Sequence, residues 1–207
     1  MMKQNILASG GNEFSQEYAE ADLAALKNSE ELSELLIVVT APYPTQELAY
    51  RHAEKYFASL EIKTKMSGLL DKKDATKREL VSEIENAKAI YIAGGTPSRL
   101  VDAFIDTPAG EGLLSAVENQ AVVMGSSAGA MLMSKRVVMP TGQDLGEGLN
   151  LLGEAIVLPH FSGVIPSWVQ QYKDSGIKFF GLTEGSSILT SSTDATLLTE
   201  FGSVTKI

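Results

Sequence analysis

The sequence lacks cysteine altogether. This absence excludes disulfide bonds, thiolate catalysis and cysteine metal sites. A covalent nucleophile in this protein would therefore be a serine, threonine, lysine or carboxylate. Histidine is also scarce, because the 207 residues include only His52 and His160. Any reaction that uses an imidazole must use one of these two.

Basic residues are also fewer than acidic residues. Lysine and arginine number 17 against 26 acidic residues, which gives a formal net charge of -9. Such a chain repels nucleic-acid phosphates and anionic membrane surfaces at long range. Lys72 and Lys73 form no basic patch, since Asp71 and Asp74 flank them. We therefore expect no nucleic-acid partner.

Long apolar runs are missing too. No uninterrupted apolar stretch is long enough to span a bilayer, and residues 1–12 contain too few apolar side chains for a signal-peptide core. We expect a cytoplasmic protein without a membrane partner. The composition, 44% hydrophobic and 21% charged, is typical of a folded globular protein. The length fits one α/β domain over residues 1–207.

Short apolar runs alternate with segments of helical period in the first two thirds of the chain. This alternation predicts an α/β fold with a mostly parallel central sheet and helices on both faces. The predicted strands are residues 5–9, 35–40, 89–93 and 121–124. The predicted helices are residues 13–27, 45–60, 76–86, 97–105 and 128–135.

The pattern of predicted strands and helices changes after about residue 150. Residues 155–158 and 179–182 are predicted to be further strands, and residues 187–190, 195–201 and 204–207 a terminal antiparallel set. A mixed sheet with a C-terminal antiparallel extension should result. Residues 140–150 are rich in glycine and polar side chains, which predicts a loop beside the functional site.

A candidate nucleophile lies in residues 125–129, whose sequence GSSAG fits the pattern G-x-S-x-G. The motif stands between a predicted strand and a predicted helix, the context in which its central serine, Ser127, is exposed at a sharp turn. The Ala128 amide would then lie at a helix N-terminus, where it could face an oxyanion. In the alternative interpretation, Ser126 and Ser127 merely cap the helix.

A second glycine turn has the same strand-to-helix context. Gly94 and Gly95 follow the predicted strand 89–93, and Thr96 and Pro97 are a favourable helix start. Parallel strands bring both turns to one edge of the sheet, where open α/β sheets bind ligands. The Gly95 amide is therefore our candidate for a second oxyanion donor. An ordinary glycine-containing loop is the alternative.

Position favours His160 over His52 as the catalytic base. His52 lies within a predicted helix among charged residues, whereas His160 follows a predicted strand and Pro159. For the carboxylate that would orient the base, residue context leaves several candidates. Glu184 stands at a strand end before Gly185, and its competitors are Asp144, Glu147, Glu154, Asp174 and Asp194.

Four motifs together resemble a known family. They are residues 93–95 (AGG), 125–130 (GSSAGA), 158–161 (LPHF) and 181–186 (GLTEGS). Their order and spacing are similar to those of the peptidase E and cyanophycinase group of serine peptidases, whose fold is like that of class I glutamine amidotransferases. The resemblance extends over nearly the whole chain.

The resemblance implies a catalytic triad of Ser127, His160 and Glu184. It also implies that the amides of Gly95 and Ala128 form an oxyanion hole and that Gly94 and Thr96 contact the substrate. The activity would be hydrolysis of a small peptide, such as a dipeptide, through an acyl-enzyme, with no metal or other cofactor. Whether the protein forms a homodimer is left open by the sequence.

Two departures from the family bear on the substrate. Members of the family often have asparagine after the paired glycines, whereas this chain has Thr96 and Pro97. Residues 162–165 (SGVI), which closely follow His160, carry no charge. The sequence also assigns no arginine to a substrate pocket; the arginines are Arg51, Arg78, Arg99 and Arg136. We therefore do not expect a preference for aspartyl peptides.

Other functions are compatible with the same residues. An esterase or other acyl hydrolase would use the same triad. A non-catalytic protein could keep the fold to bind a small ligand, although the intact serine, histidine and glutamate argue against that. Glutamine amidotransferase chemistry needs a cysteine nucleophile, which this chain lacks.

Overall fold

A computed structural model describes residues 4–29, 32–42, 44–139, 145–172, 174–194 and 198–207. The strands are β1 Ile6–Ser9, β2 Leu35–Val38, β3 Thr64–Met66, β4 Ala89–Ile92, β5 Val122–Ser126, β6 Arg136–Val138, β7 Leu145–Glu147, β8 Ala155–Leu158, β9 Lys178–Leu182, β10 Ser187–Thr190, β11 Leu198–Phe201 and β12 Val204–Lys206. The helices are α1 Ala19–Leu26, α2 Thr45–Ser59, α3 Arg78–Asn86, α4 Pro97–Phe104, α5 Pro108–Glu118 and α6 Ala128–Met133. Short 3₁₀ turns occupy Gln16–Tyr18, Asp74–Thr76 and Ser167–Tyr172.

The main sheet is mixed but mostly parallel. Its strand order is β11-β10-β1-β5-β4-β2-β3. Strands β1, β5, β4, β2 and β3 pair in parallel, while β10 and β11 extend the sheet antiparallel beside β1. The predicted fold class, with its C-terminal antiparallel extension, is therefore confirmed.

Two smaller sheets complete the described strands. In one, β8 and β9 are parallel and β12 pairs antiparallel with β9. In the other, β6 and β7 form an antiparallel pair. The prediction of a loop across residues 140–150 was wrong at β7, because pairing with β6 orders that segment as a strand. Residues 140–144 lie outside the described part of the chain.

Apolar packing covers both faces of the main sheet. On one face, α1 and α2 pack their buried side chains against alternate residues of β1, β2, β4 and β5. On the other face, α3, α4, α5 and α6 pack against the remaining residues of these strands. Double burial explains why the central strands are short and dominated by apolar residues. Among the described residues, none of the helices combines the length and the apolar composition of a transmembrane span.

Most predicted elements are present, with shifted ends. The helix predicted over 13–27 consists of the 3₁₀ turn Gln16–Tyr18 and α1. The helix predicted over 128–135 ends at Met133. The strand predicted over 195–201 is seen for Leu198–Phe201, and residues 195–197 lie outside the described residues. Strands β3 and β6 and helix α5 were not predicted.

The backbone of α6 approaches β4 very closely at Gly129. A Cβ atom added there would lie within 3.0 Å of the carbonyl oxygen of Ile92 and would also crowd the Ala93 carbonyl. Both neighbours are backbone atoms, which cannot rotate away as a side chain can. The second glycine of the GSSAG motif therefore lets the helix that follows Ser127 pack against the neighbouring strand.

We expect Gly129→Ala to destabilise the protein by about 1–3 kcal/mol, because the added methyl group overpacks two backbone segments. Urea unfolding would measure the change. Gly68→Ala is a matched control, since its Cβ would meet only the end of the flexible Leu80 side chain, 3.1 Å away. Equal effects of the two substitutions would contradict the close-packing argument.

A buried carboxylate lies on α1. Asp22 is 1% exposed, and its Oδ2 accepts a hydrogen bond of 2.7 Å from the Tyr56 hydroxyl. Its other oxygen, Oδ1, has no hydrogen-bond partner among the described residues. Burial raises the pKa of Asp22 to about 7, although the Tyr56 hydrogen bond lowers it in part. The folded protein therefore keeps a proton that the unfolded chain loses near pH 4.

Because the folded-state pKa of Asp22 is raised, its contribution to stability should be greatest below pH 4 and should fall as the pH rises towards 7. Asp22→Asn keeps an oxygen acceptor for Tyr56 and cannot ionise. We expect this variant to gain a few kcal/mol relative to the wild type between pH 4.5 and pH 8, measured by urea unfolding. Glu20→Gln, at an exposed site on the same helix, controls for loss of one surface charge. A stability difference that does not change with pH would refute this account.

Candidate active site

Three turns meet at one edge of the main sheet. Strands β1, β5 and β4 are parallel neighbours, so their carboxyl ends lie side by side. The turns that follow them contain Gly10–Gly11, Ser127 and Gly94–Gly95 respectively. This is the edge at which open α/β sheets place ligands.

Ser127 occupies a strained backbone position between β5 and α6. Its φ of 51° and ψ of -115° lie in a region that non-glycine residues rarely adopt. Its N–H donates to the Ser9 carbonyl oxygen at 3.1 Å, which ties the turn to β1. The Ser127 side chain makes no capping hydrogen bond to α6. This geometry favours an exposed-serine elbow over the capping interpretation.

The predicted serine, histidine and glutamate lie together. Ser127 Oγ is 2.9 Å from His160 Nε2, and His160 Nδ1 is 3.1 Å from Glu184 Oε1. The side chains of His160 and Glu184 are 50% and 56% exposed, so both are open to solvent. With a proton on Nδ1, the imidazole donates to Glu184 and leaves Nε2 to accept from the Ser127 hydroxyl.

The imidazole of His160 lies directly against the backbone of Gly11. A Cβ atom at Gly11 would overlap three atoms of the ring, and the φ of +118° at this residue also excludes most side chains. The His160 N–H donates to the Gly10 carbonyl oxygen at 2.7 Å. The turn after β1 thus places the ring, although His160 itself follows β8.

Tyr18 connects the surroundings of the histidine and the glutamate. Its buried hydroxyl donates to the Gly11 carbonyl oxygen and accepts a 2.8 Å hydrogen bond from the Gly185 N–H, next to Glu184. Burial raises the pKa of Tyr18 to about 12, so the hydroxyl keeps the proton that it donates. Tyr18 was not predicted as a site residue, because a tyrosine near the start of a predicted helix gives no signal of such a contact.

Glu13 was also missed, and it links the two remaining turns. Its Oε1 accepts from the Gly94 N–H at 2.8 Å, and its Oε2 accepts from the Ser126 hydroxyl at 3.1 Å. Ser126 is completely buried. The Gly94 amide, predicted to contact substrate, is therefore engaged with Glu13. Residue 13 was assigned only to a predicted helix, and no local pattern singles it out.

The other predicted site residues lie at the same edge. Gly95 is exposed with a φ of +148°, and Thr96 is exposed at the start of α4. Ala128 is the first residue of α6, where backbone N–H groups have no partner within the helix. His52 is exposed on α2, as predicted for the histidine outside the site.

The other carboxylates considered as partners of His160 lie away from this edge of the sheet or outside the described residues. Glu154 pairs with Lys135, and Glu147 is 3.8 Å from Arg136. Asp174 lies in a turn after Tyr172, Asp194 lies in the segment after β10, and Asp144 is outside the described residues. Within the described ranges, no cluster of three histidine or acidic side chains could hold a metal ion.

Comparison with known proteins identifies the family. Residues 5–198 match the sequence profile of peptidase family S51. The chain belongs to this family. It is therefore a serine-type peptidase, and the predicted resemblance is confirmed. No curated protein matches the sequence significantly.

Solved structures share the fold of this S51 peptidase. A peptidase from an acI-B1 Actinobacterium superposes with a TM-score of 0.78 at 20% identity, covering 100% of this chain and 97% of the other. A protein from Listeria monocytogenes EGD-e assigned to peptidase E gives a TM-score of 0.63 at 17% identity, with coverages of 100% and 98%. At these identities the likeness concerns the fold alone.

The bridge made by Glu13 can be measured with a double-mutant cycle. We expect Glu13→Ala to cost about 1–3 kcal/mol in urea unfolding, because it leaves the buried Ser126 hydroxyl without its acceptor. In a Ser126→Ala background, Glu13→Ala should cost less, since only the bond to Gly94 is then lost. Strictly additive effects would show that Glu13 and Ser126 are not coupled.

Proposed function

We propose that this peptidase hydrolyses small peptides with a catalytic triad of Ser127, His160 and Glu184. The observation that carries the proposal is the continuous pair of short contacts, 2.9 Å from Ser127 Oγ to His160 Nε2 and 3.1 Å from His160 Nδ1 to Glu184 Oε1. A nucleophile within reach of a base, and a base oriented by a third group, is the arrangement that activates serine.

The proposed reaction begins with proton transfer. His160 Nε2 takes the hydroxyl proton as Ser127 Oγ forms a bond to the peptide carbonyl carbon. The C–N bond then breaks, and Nε2–H gives the proton to the leaving amine. Water repeats the sequence on the acyl-enzyme and restores the free serine. Throughout, Glu184 accepts from Nδ1–H, which fixes the ring and supports its positive charge.

The proposed oxyanion hole consists of the Gly95 and Ala128 amides. They belong to the two turns that Glu13 joins through Gly94 and Ser126, so the donors lie on a connected frame. Each preorganised donor of this kind is worth about 3 kcal/mol of transition-state stabilisation. Thr96, exposed next to Gly95, is the side chain proposed to contact the substrate there.

A short peptide, such as a dipeptide, is the proposed substrate. The residues concerned lie in open turns, and the side chains of His160 and Glu184 are about half exposed. An open edge accepts a small molecule and lets the second product and water exchange freely. An ester would react at the same groups, so the preference for amides has to be measured by comparing dipeptides with the matching aminoacyl esters.

Labelling with a fluorophosphonate probe tests the nucleophile. We expect Ser127→Ala to abolish labelling and to lower dipeptide hydrolysis by at least about 10³-fold, since covalent catalysis is lost. Ser126→Ala is the matched control, because it removes the neighbouring hydroxyl, which bonds to Glu13, and should lower the rate of labelling without abolishing it. Labelling that persists in the Ser127 variant, or disappears in the Ser126 variant alone, would mean that the nucleophile is elsewhere.

A further inference from the structure

An apolar hollow lies immediately beside His160. It is an open pocket of about 530 Å³, lined mostly by apolar side chains that include Val138, Phe161, Val164 and Trp168, with His160, Ser162 and Ser167 also in its walls. This volume falls within the range of roughly 300–1,000 Å³ in which proteins bind small ligands. The hollow therefore has room for a substrate side chain.

The described lining of the hollow contains no lysine, arginine, aspartate or glutamate to pair with a charged side chain. Among the described residues that line it, His160 is the one ionisable group. Arg51 and Arg136 lie near Glu47 and Glu147, and Arg99 donates to the carbonyl oxygens of Thr40 and Leu70. Arg78 is exposed at the start of α3. A carboxylate in the hollow would lose hydration without gaining an ion pair.

One wall of the hollow is rigid and another is exposed. Trp168 packs against Phe179 and Tyr172, with ring centroids 5.9 Å and 6.2 Å away, which holds it in place. Val164 is 73% exposed, and the adjacent Ile165 is 44% exposed. Covering exposed apolar side chains beside His160 with an apolar ligand is favourable, because it removes their surface from water.

The position of the hollow distinguishes the two sides of the scissile bond. In the proposed mechanism, His160 gives its proton to the leaving amine, so the amine must lie next to the imidazole. The hollow adjoins His160, whereas the proposed oxyanion donors, Gly95 and Ala128, do not line it. The side chain that reaches the hollow most directly therefore belongs to the residue that supplies the leaving amine.

We propose that the hollow is a specificity subsite for an apolar, preferably aromatic, side chain on the amine side of the scissile bond. This inference rests on the proposed function, and it adds the class of substrate. Full burial of such a side chain corresponds to a gain of about 10- to 100-fold in kcat/KM over a small or charged one.

Two dipeptide series test the subsite. We expect Ala-Phe and Ala-Leu to be hydrolysed about 10- to 100-fold more efficiently than Ala-Ala, Ala-Asp or Ala-Lys. The reversed series, Phe-Ala, Leu-Ala, Asp-Ala and Lys-Ala, should span a much narrower range. A preference confined to the reversed series, or no apolar preference in either, would overturn the inference while leaving the peptidase function intact.

Val164→Asp probes the wall of the hollow without removing a buried side chain. We expect it to abolish the preference for Ala-Phe and to raise kcat/KM for Ala-Lys. The members of the reversed series should change by a common factor, since all of them place alanine at the hollow. Leu48→Asp is the matched control, because Leu48 is also a strongly exposed apolar residue but does not line the hollow. An equal effect of Val164→Asp on all dipeptides, or none, would contradict the proposal.

A binding measurement separates this inference from the proposed function. Phenylalanine amide, which carries the amine and side chain of the leaving residue, should protect Ser127 from the fluorophosphonate probe at concentrations at least about tenfold lower than alanine amide. Equal protection by the two amides would overturn the inference, whether or not any dipeptide is cleaved. Absence of dipeptide cleavage would instead count against the proposed function. If sedimentation showed that Val164→Asp turns a dimer into a monomer, the hollow would be a contact surface for a second copy of the chain. That result would also overturn the inference.

Discussion

The parallel pairing of β1, β5 and β4 is the constraint on which the active site depends. It brings the turns after three strands to one edge, although they lie far apart in the chain. His160 belongs to a different sheet, after β8. Its backbone N–H donates to the Gly10 carbonyl oxygen, and its imidazole lies against the bare backbone of Gly11. The nucleophile and its base therefore owe their proximity to strand order and to one close approach between backbone and ring.

Two residues of the site have a strained backbone. Ser127 and His160 both have φ near +50°, a conformation that costs roughly 1–3 kcal/mol at each non-glycine residue. Hydrogen bonds from their N–H groups to Ser9 and Gly10 oppose this cost by tying both residues to the end of β1. The surrounding frame thus holds two side chains in positions that neither segment would adopt alone, and it fixes the direction in which each side chain projects.

Local patterns in the sequence predicted the buried strands and the two glycine turns, because each is encoded within a few consecutive residues. Helix α5 escaped prediction because Gly110 and Gly112 weaken its helical signal, although Thr107 caps it by accepting from the Gly110 N–H. Strands β6 and β7 are only three residues each and depend on their mutual pairing. Glu13 and Tyr18 were missed because their decisive partners, Gly94 and Gly185, are 81 and 167 residues away. Such contacts follow from the assembled sheet and have no local signature.

The electrostatics of this edge agree with an apolar substrate. Glu13 bonds to Ser126 and Glu184 to His160, so two carboxylates lie near Ser127 in a chain with a formal net charge of -9. An acidic side chain entering the site would be repelled by these two carboxylates. The described lining of the hollow supplies no arginine or lysine to offset that repulsion. An apolar side chain avoids the repulsion and covers Val164, so the charge distribution and the shape of the site favour the same class of substrate.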